Sequence, residues 1–226
     1  MDPEYMVHIG GVGCTARIPV YLKTDMFHGV HGRTLGWATG VKMMRPDVPV
    51  VIFAGDGDVS SIGGNHLIHA ARRNLDVTVV MVNNLNFAMT GGQVAPTTPE
   101  DSRTMTTPYG SAEPRFDVCE LVKAAGATHV ERWTTAQPAQ CKKAMERALT
   151  HKGFSLIEIV SQCPTHFGRY ALKTGDPNAV LEWIKGYTYT DAQAKKMSPE
   201  ELEGKLRCGQ YICVEKPVYA GTTNMM

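Results

Sequence analysis

No apolar run in the chain approaches the roughly 18 residues needed to cross a membrane, and the opening "MDPEYMVHIG" has neither the basic stretch nor the apolar core of a secretory leader. The expectation is a cytoplasmic protein without a membrane segment. Charge of a dominant sign is also missing: 23 Lys and Arg stand against 22 Asp and Glu, so neither a nucleic-acid footprint nor an acidic tail is visible. Cysteine is sparse, six in 226 residues and widely spread, which excludes the disulfide framework of a small secreted domain and leaves reduced thiols or a metal or cluster site. Repeats and low-complexity tracts are absent. What remains, 43% hydrophobic and 20% charged residues, suits a globular chain with a real core.

The pattern within it is alternation. Short β-rich runs at Met6–Ile9, Val48–Ala54, Val77–Val82, Thr128–Arg132 and Phe154–Val160 are separated by segments able to form helices, about Thr34–Met44, Ile62–Arg73, Phe116–Ala125 and Ala139–His151. Asp117 and Pro138 fit helix starts and Gly153 a helix end. The runs at 48–54, 77–82 and 154–160 are almost continuously apolar, as strands covered on both faces are. The expected class is α/β, a mostly parallel sheet with helices on both faces. Residues 1–170 read as one cofactor-binding domain and residues 171–226, polar and weakly patterned, as a helical C-terminal extension making subunit contacts.

One βαβ unit carries chemistry. In "VIFAGDGDVSSIGGNHLIHAARRNLDVTVVMVNN" a strand ends in Asp56 among glycines and the next ends in Asn84. Parallel pairing brings both strand ends to one edge of the sheet. A carboxylate, an amide oxygen and a nearby backbone carbonyl suit a hard divalent ion such as Mg²⁺, which keeps open positions for phosphate oxygens. Gly55 and Gly57 allow close backbone approach, and the amino end of the helix after Asp58 favours an anion. The pattern points to a metal-bound diphosphate.

"GDG" followed at this interval by "NN" resembles the motif of thiamine-diphosphate enzymes. Five blocks, "GVGCTAR", "HGRTLGWATGVKMMRPD", "GDGDVSSIGGNHLIHAARRN", "MTGGQVAPTTP" and "SQCPTHFGR", further resemble the β subunit of 2-oxoacid:ferredoxin oxidoreductases, nearest the 2-oxoglutarate type. The resemblance implies an Mg²⁺ held by Asp56, Asn84 and the carbonyl of Asn86, with Gly13, Cys14, Thr15, Gly55, Gly57, Asp58, Ala88 and Met89 around thiamine diphosphate and His31 lining the reacting region. It also implies a [4Fe–4S] cluster with Cys14 and Cys163 as ligands, an α subunit with or without γ and δ subunits, and coenzyme A, a 2-oxoacid and ferredoxin as reaction partners. The activating glutamate is expected from the α subunit, so this chain would hold half an active site.

Two departures from the family pattern bear on this. The usual Cys-Pro-Gly-Cys segment about thirty residues before "GVGC" is not in the sequence, so two of the customary four cluster thiolates are expected from it unless Cys119, Cys141, Cys208 or Cys213 substitutes. The expectation is a missing N-terminal piece. Asn86–Phe87–Ala88 also replaces the more usual Ile-Tyr-Gly.

Two other readings compete. "MVHIGGVGCTA" fits the dinucleotide fingerprint G-x-G-x-x-A at Gly11, Gly13 and Ala16, as in an NAD-dependent dehydrogenase, but a helix opening there would meet Pro19 in its second turn, a cost of about 3 kcal/mol. A non-catalytic or truncated subunit of the same fold is the second alternative.

Overall fold

The computed structural model describes residues 5–219. Eight strands run in chain order: β1 (Val7–Gly10), β2 (Asp25–His28), β3 (Val50–Gly55), β4 (Thr78–Asn83), β5 (His129–Thr134), β6 (Ser155–Val160), β7 (Thr188–Thr190) and β8 (Leu206–Cys213). They form one sheet in the order β2-β1-β3-β4-β6-β5-β8-β7. The pairs β1–β2, β1–β3, β3–β4, β4–β6 and β5–β6 are parallel. Each of the five strands read from sequence is present with its ends moved by a residue or two, so the α/β expectation stands.

Helices α1 (Thr34–Met44), α2 (Gly64–Arg72), α3 (Val118–Ala125) and α4 (Pro138–Thr150) connect them. Their ends have local causes. The Asp117 side chain accepts the Glu120 N–H at 3.2 Å and Gly126 closes α3 in the left-handed region at φ 111°, while Pro138 opens α4. Such a cap contributes about 1 kcal/mol. The main core lies between one face of the sheet (Ile9, Ile52, Val79, Leu156) and α1, α2 and α3, through Leu35, Ala38, Leu67, Ala71, Val118 and Val122. On the other face Ala144 and Ala148 of α4 pack on Ile157. Strands buried on both sides need apolar residues at every position, which is why β3, β4 and β6 showed no alternation.

The C-terminal segment departs from the helical expectation. It carries helix Pro177–Tyr187, but β8 returns it to the sheet antiparallel to β5, with Arg132 opposite Gly209. Leu206 and Cys208 are buried there. Arg207, Gly209 and Gln210 interrupt the apolar pattern of β8, and β2, "DMFH", is exposed at all four positions; neither could show the periodicity of a covered strand.

Parallel pairing sets the site. Gly10 lies opposite Phe53, Gly55 opposite Val82, and Asn83 opposite Val160. The loops after β1, β3, β4 and β6 therefore leave the sheet at one edge.

Candidate diphosphate and cation site

At that edge a cleft of about 100 Å³ is lined by Gly13, Cys14, Thr15, His31, Gly55, Asp56, Gly57, Asp58, Asn84, Asn86, Ala88 and Met89 among others. Every residue expected from sequence to surround the diphosphate and cation is there, His31 included. A larger apolar cavity of about 570 Å³ lies elsewhere, against Val51, Val80 and Leu149 on the sheet face, and it contains no carboxylate. Chemistry, not size, selects the smaller cleft.

Asp56 is the distinctive group. Its carboxylate is 2% exposed and has no cationic side chain bonded to it among the described residues. Burial pushes its pKa up to about 7, against the pull of the Thr97 hydroxyl and of the backbone N–H groups of Asp56, Asn84 and Gly57. A buried acid without a cation is costly as an anion and is stabilised by a cation from outside. Asn84 follows β4 half-buried, and its carbonyl accepts from the Asn86 side-chain N–H at 2.7 Å. Among the described residues no hydrogen bond is formed to the Asn84 side chain or to the Asn86 carbonyl. One carboxylate, one amide oxygen and one free backbone carbonyl fit a hard, oxygen-loving divalent ion.

Two glycines are required by contacts. A Cβ on Gly57 would sit 2.2 Å from the Phe87 ring, so the "GDG" turn and the substituted "NFA" segment pack directly on each other. A Cβ on Gly11 would sit 1.6 Å from Asp58 Oδ2. Asp58 is buried and fully engaged: it accepts from the Gly32 N–H at 2.5 Å and the Val12 N–H at 3.3 Å, and its Oδ1 lies 2.5 Å from His31 Nδ1. This contact engages Nδ1 of His31 and leaves Nε2 as the ring's free nitrogen. Asp58 thus ties the loop after β1 to the "HGR" turn.

Cys14 and Cys163 line a second, adjoining cleft of about 470 Å³ together with Thr15, Asn84, Met89 and His166. The Cys14 thiol is pushed up by burial and by the neighbouring Cys163 and Asp56. Cys119, Cys141, Cys208 and Cys213 do not line it. Cys119 instead bonds Glu158 at 3.1 Å and Cys141 the Thr134 carbonyl at 3.3 Å. Among the described residues no three His, Cys, Asp or Glu side chains gather into a metal site. The thiols fit half of a four-thiolate cluster set and no more.

Several functional residues escaped sequence reading. Asn83, 2% exposed, donates to Glu158 at 2.7 Å and accepts the Leu85 N–H at 3.0 Å, shaping the turn that presents Asn84. The signal was available: Glu158 is a lone acid inside the apolar strand "SLIEIV". Thr97, which donates to Asp56, was visible only as part of a block. A 3₁₀ helix, Thr15–Tyr21, with Pro19 inside it, follows "GVGC", so the α-helix a dinucleotide fingerprint needs is not there.

A mostly parallel sheet whose carboxyl edge joins a buried acid, an amide and tight glycine turns fits the class of diphosphate-cofactor-binding domains. Residues 11–159 match the family described as thiamine pyrophosphate enzyme, C-terminal TPP binding domain. Over 219 residues, 97% of this chain and 81% of the relative, the sequence is 47% identical to 2-oxoglutarate synthase subunit KorB of Methanocaldococcus jannaschii. It is 52% identical over 165 residues, 73% of this chain and 62% of the relative, to the subunit of the same name from Archaeoglobus fulgidus. A solved structure, 2-oxoglutarate:ferredoxin oxidoreductase from Magnetococcus marinus with 2-oxoglutarate, coenzyme A and succinyl-CoA bound, superposes with a TM-score of 0.86 at 29% identity, covering 100% of this chain and 77% of that one. The chain belongs to the β subunits of the thiamine-diphosphate-dependent 2-oxoacid:ferredoxin oxidoreductases.

Proposed function

We propose that this subunit, completed by an α partner, catalyses the coenzyme A-dependent oxidative decarboxylation of 2-oxoglutarate and delivers the electrons to ferredoxin. The observation that carries the reading is Asp56, a buried carboxylate with no counter-cation among the described residues, at the mouth of glycine turns. Asp56, Asn84 and the Asn86 carbonyl would hold Mg²⁺, and the backbone at Gly55, Gly57, Ala88 and Met89 would receive the diphosphate. When bound, thiamine diphosphate supplies the nucleophilic carbon and the electron sink for decarboxylation. The chain's own residues position and tune. Asp58 fixes the His31 ring so that Nε2 can accept a proton or hydrogen bond beside the cofactor. Phe87 packs over Gly57 and would shield a diphosphate bound there from water.

Cys14 and Cys163 would supply two ligands of a [4Fe–4S] cluster; the described residues do not complete the set, so no electron step is derived through it. The α partner, with or without further small subunits, would find exposed apolar side chains between residues 21 and 44: Tyr21, Val30 and Met44 are 85%, 64% and 81% exposed, and Phe27 meets the half-exposed Trp37 ring at 5.2 Å in a tilted contact. Residues 171–226 would add a further subunit contact. Six free cysteines suit a reducing cytoplasm. Among the described residues no helix is long and apolar enough to cross a membrane.

The test is reconstitution. The chain co-purified with its α partner should reduce ferredoxin with 2-oxoglutarate and coenzyme A, yielding CO₂ and succinyl-CoA. A complex that assembles but is stabilised by neither thiamine diphosphate nor NAD would support the non-catalytic alternative, and stabilisation by NAD instead would support a dehydrogenase.

A further inference from the structure

The two side chains that would hold the cation come from different strands, Asp56 after β3 and Asn84 after β4, so something must set their separation. The segment "APTTP" contains a tight turn. Pro96, at its second position, has its φ fixed by its ring, and the Ala95 carbonyl accepts the Thr98 N–H at 2.9 Å. This turn presents two hydroxyls in opposite duties. Thr97 Oγ1 donates to Asp56 Oδ2. Thr98 Oγ1 accepts the Ala95 N–H at 2.9 Å and donates to the Leu85 carbonyl at 2.7 Å. Thr97 and Thr98 are each 1% exposed, so neither bond competes with water.

Leu85 is the pivot of the metal-facing loop. It sits at φ 65°, a left-handed conformation that a leucine adopts at a cost of about 1–2 kcal/mol. Its N–H is held by Asn83 and its carbonyl by Thr98, so both sides of the strained residue are pinned. Asn84 and Asn86 flank it. The turn therefore touches the acid through Thr97 and the amide loop through Thr98, with one rigid peptide between them.

We propose that Thr97 and Thr98 are positioning residues, a strut between Asp56 and the Asn84–Asn86 loop that sets how tightly these groups hold a divalent cation. The proposal rests on the cation reading given above. Thr97 fixes the rotamer of the carboxylate and leaves its other oxygen for the ion, whereas Thr98 fixes the height of the loop. A merely structural hydroxyl would instead satisfy a buried group and change stability alone.

The experiment uses the assembled enzyme, stripped of divalent ions, saturated with thiamine diphosphate and titrated with Mn²⁺, free Mn²⁺ being read by its paramagnetic resonance signal. Thr97→Val keeps the shape and removes the donor; it should weaken Mn²⁺ binding about tenfold to a hundredfold, the range expected for a hydrogen bond to a charged group. Thr97→Ser, which keeps the hydroxyl, should restore binding to within about threefold of the parent, less than half the free energy of that bond. If Thr97→Val does not assemble, Thr97→Ala deletes the same donor without placing a methyl against the acid. Parent-like Mn²⁺ affinity in the Val or Ala variant, or equally weak binding in the Ser variant, would overturn the proposal. Asp56→Ala in the same titration separates the two levels: if it too binds Mn²⁺ like the parent, the cation reading has failed; if it alone loses binding, only the strut has.

Discussion

Two buried acid systems, one at the end of β3 and one on β5, are separated by β4 and β6 and are built in opposite ways. On the β5 side, Glu131 is fully buried and receives both guanidinium nitrogens of Arg147 at 2.8 and 2.7 Å, the Trp133 indole at 2.8 Å and the His129 ring at 2.9 Å. Burial alone would raise its pKa, but these three partners hold it down at about 2. Arg132, equally buried, bridges Glu158 at 2.8 Å and Asp117 at 2.6 Å. At the β3 edge Asp56 has a hydroxyl and backbone amides only, and its pKa lies near 7. The first system contains its own counter-charges and is finished by folding. The second is left short of one positive charge, which is what a binding site for a cation requires.

The contrast predicts different failures. The largest effect is expected at the unfinished site: Asp56→Ala should lower cation-dependent thiamine diphosphate affinity by more than the roughly 10–100-fold that loss of an outer partner costs, with the melting temperature of the cation-free complex unchanged or raised. Calorimetry on the assembled enzyme reads both halves. A large loss of stability instead would erase the distinction. On the finished side, Arg132→Leu leaves Glu158 buried without its cation and should cost about 3–5 kcal/mol in unfolding free energy. Because Glu158 also holds Asn83, part of that cost should appear as weaker cofactor binding, and denaturant titration with and without thiamine diphosphate separates the two.

Asn84→Ala sharpens the comparison further. It removes a neutral ligand, so its effect on Mg²⁺ affinity should be smaller than that of Asp56→Ala, about tenfold, within the range for a supporting partner. The smallest effect is a pH slope. Glu131 titrates lower in the folded chain than its ordinary 4.5, so its stabilising contribution is complete above about pH 4.5 and is lost as pH falls toward 2. Glu131→Gln should flatten the fall of the thermal midpoint across that window, and an unaltered slope would mean that the ion pair is not set as described.

The β3–α2–β4 unit was legible in the sequence because its physics is local. Apolar runs give strands, parallel pairing brings Asp56 and Asn84 to one edge, and no long-range information is needed beyond that. His31, Cys14 and Cys163 came from resemblance alone, and their meeting depends on which strands neighbour which. The order β1-β3-β4-β6 that gathers them is not written in any single segment. Asp58 was read as a phosphate neighbour, whereas its bonds to Gly32 and Val12 join loops 26 and 46 residues away in sequence, contacts no window of sequence displays. The same holds for Thr97, whose partner is 41 positions earlier. Strand β8 was missed for a different reason: it is only partly buried near the end of the sheet, so its sequence is free to carry Arg207, Gly209 and Gln210 without a periodic pattern.

The central claim, that Asp56 is an acid left without a counter-charge so that a cation can supply it, is tested most directly by locating that cation. Crystals of the assembled enzyme grown with thiamine diphosphate and Mn²⁺ should show one anomalous peak at this edge, bonded to the Asp56 carboxylate, the Asn84 side-chain oxygen and the Asn86 carbonyl. A peak bound to phosphate oxygens but out of reach of Asp56, or a basic side chain of the partner subunit seated against Asp56 in place of a metal, would contradict it.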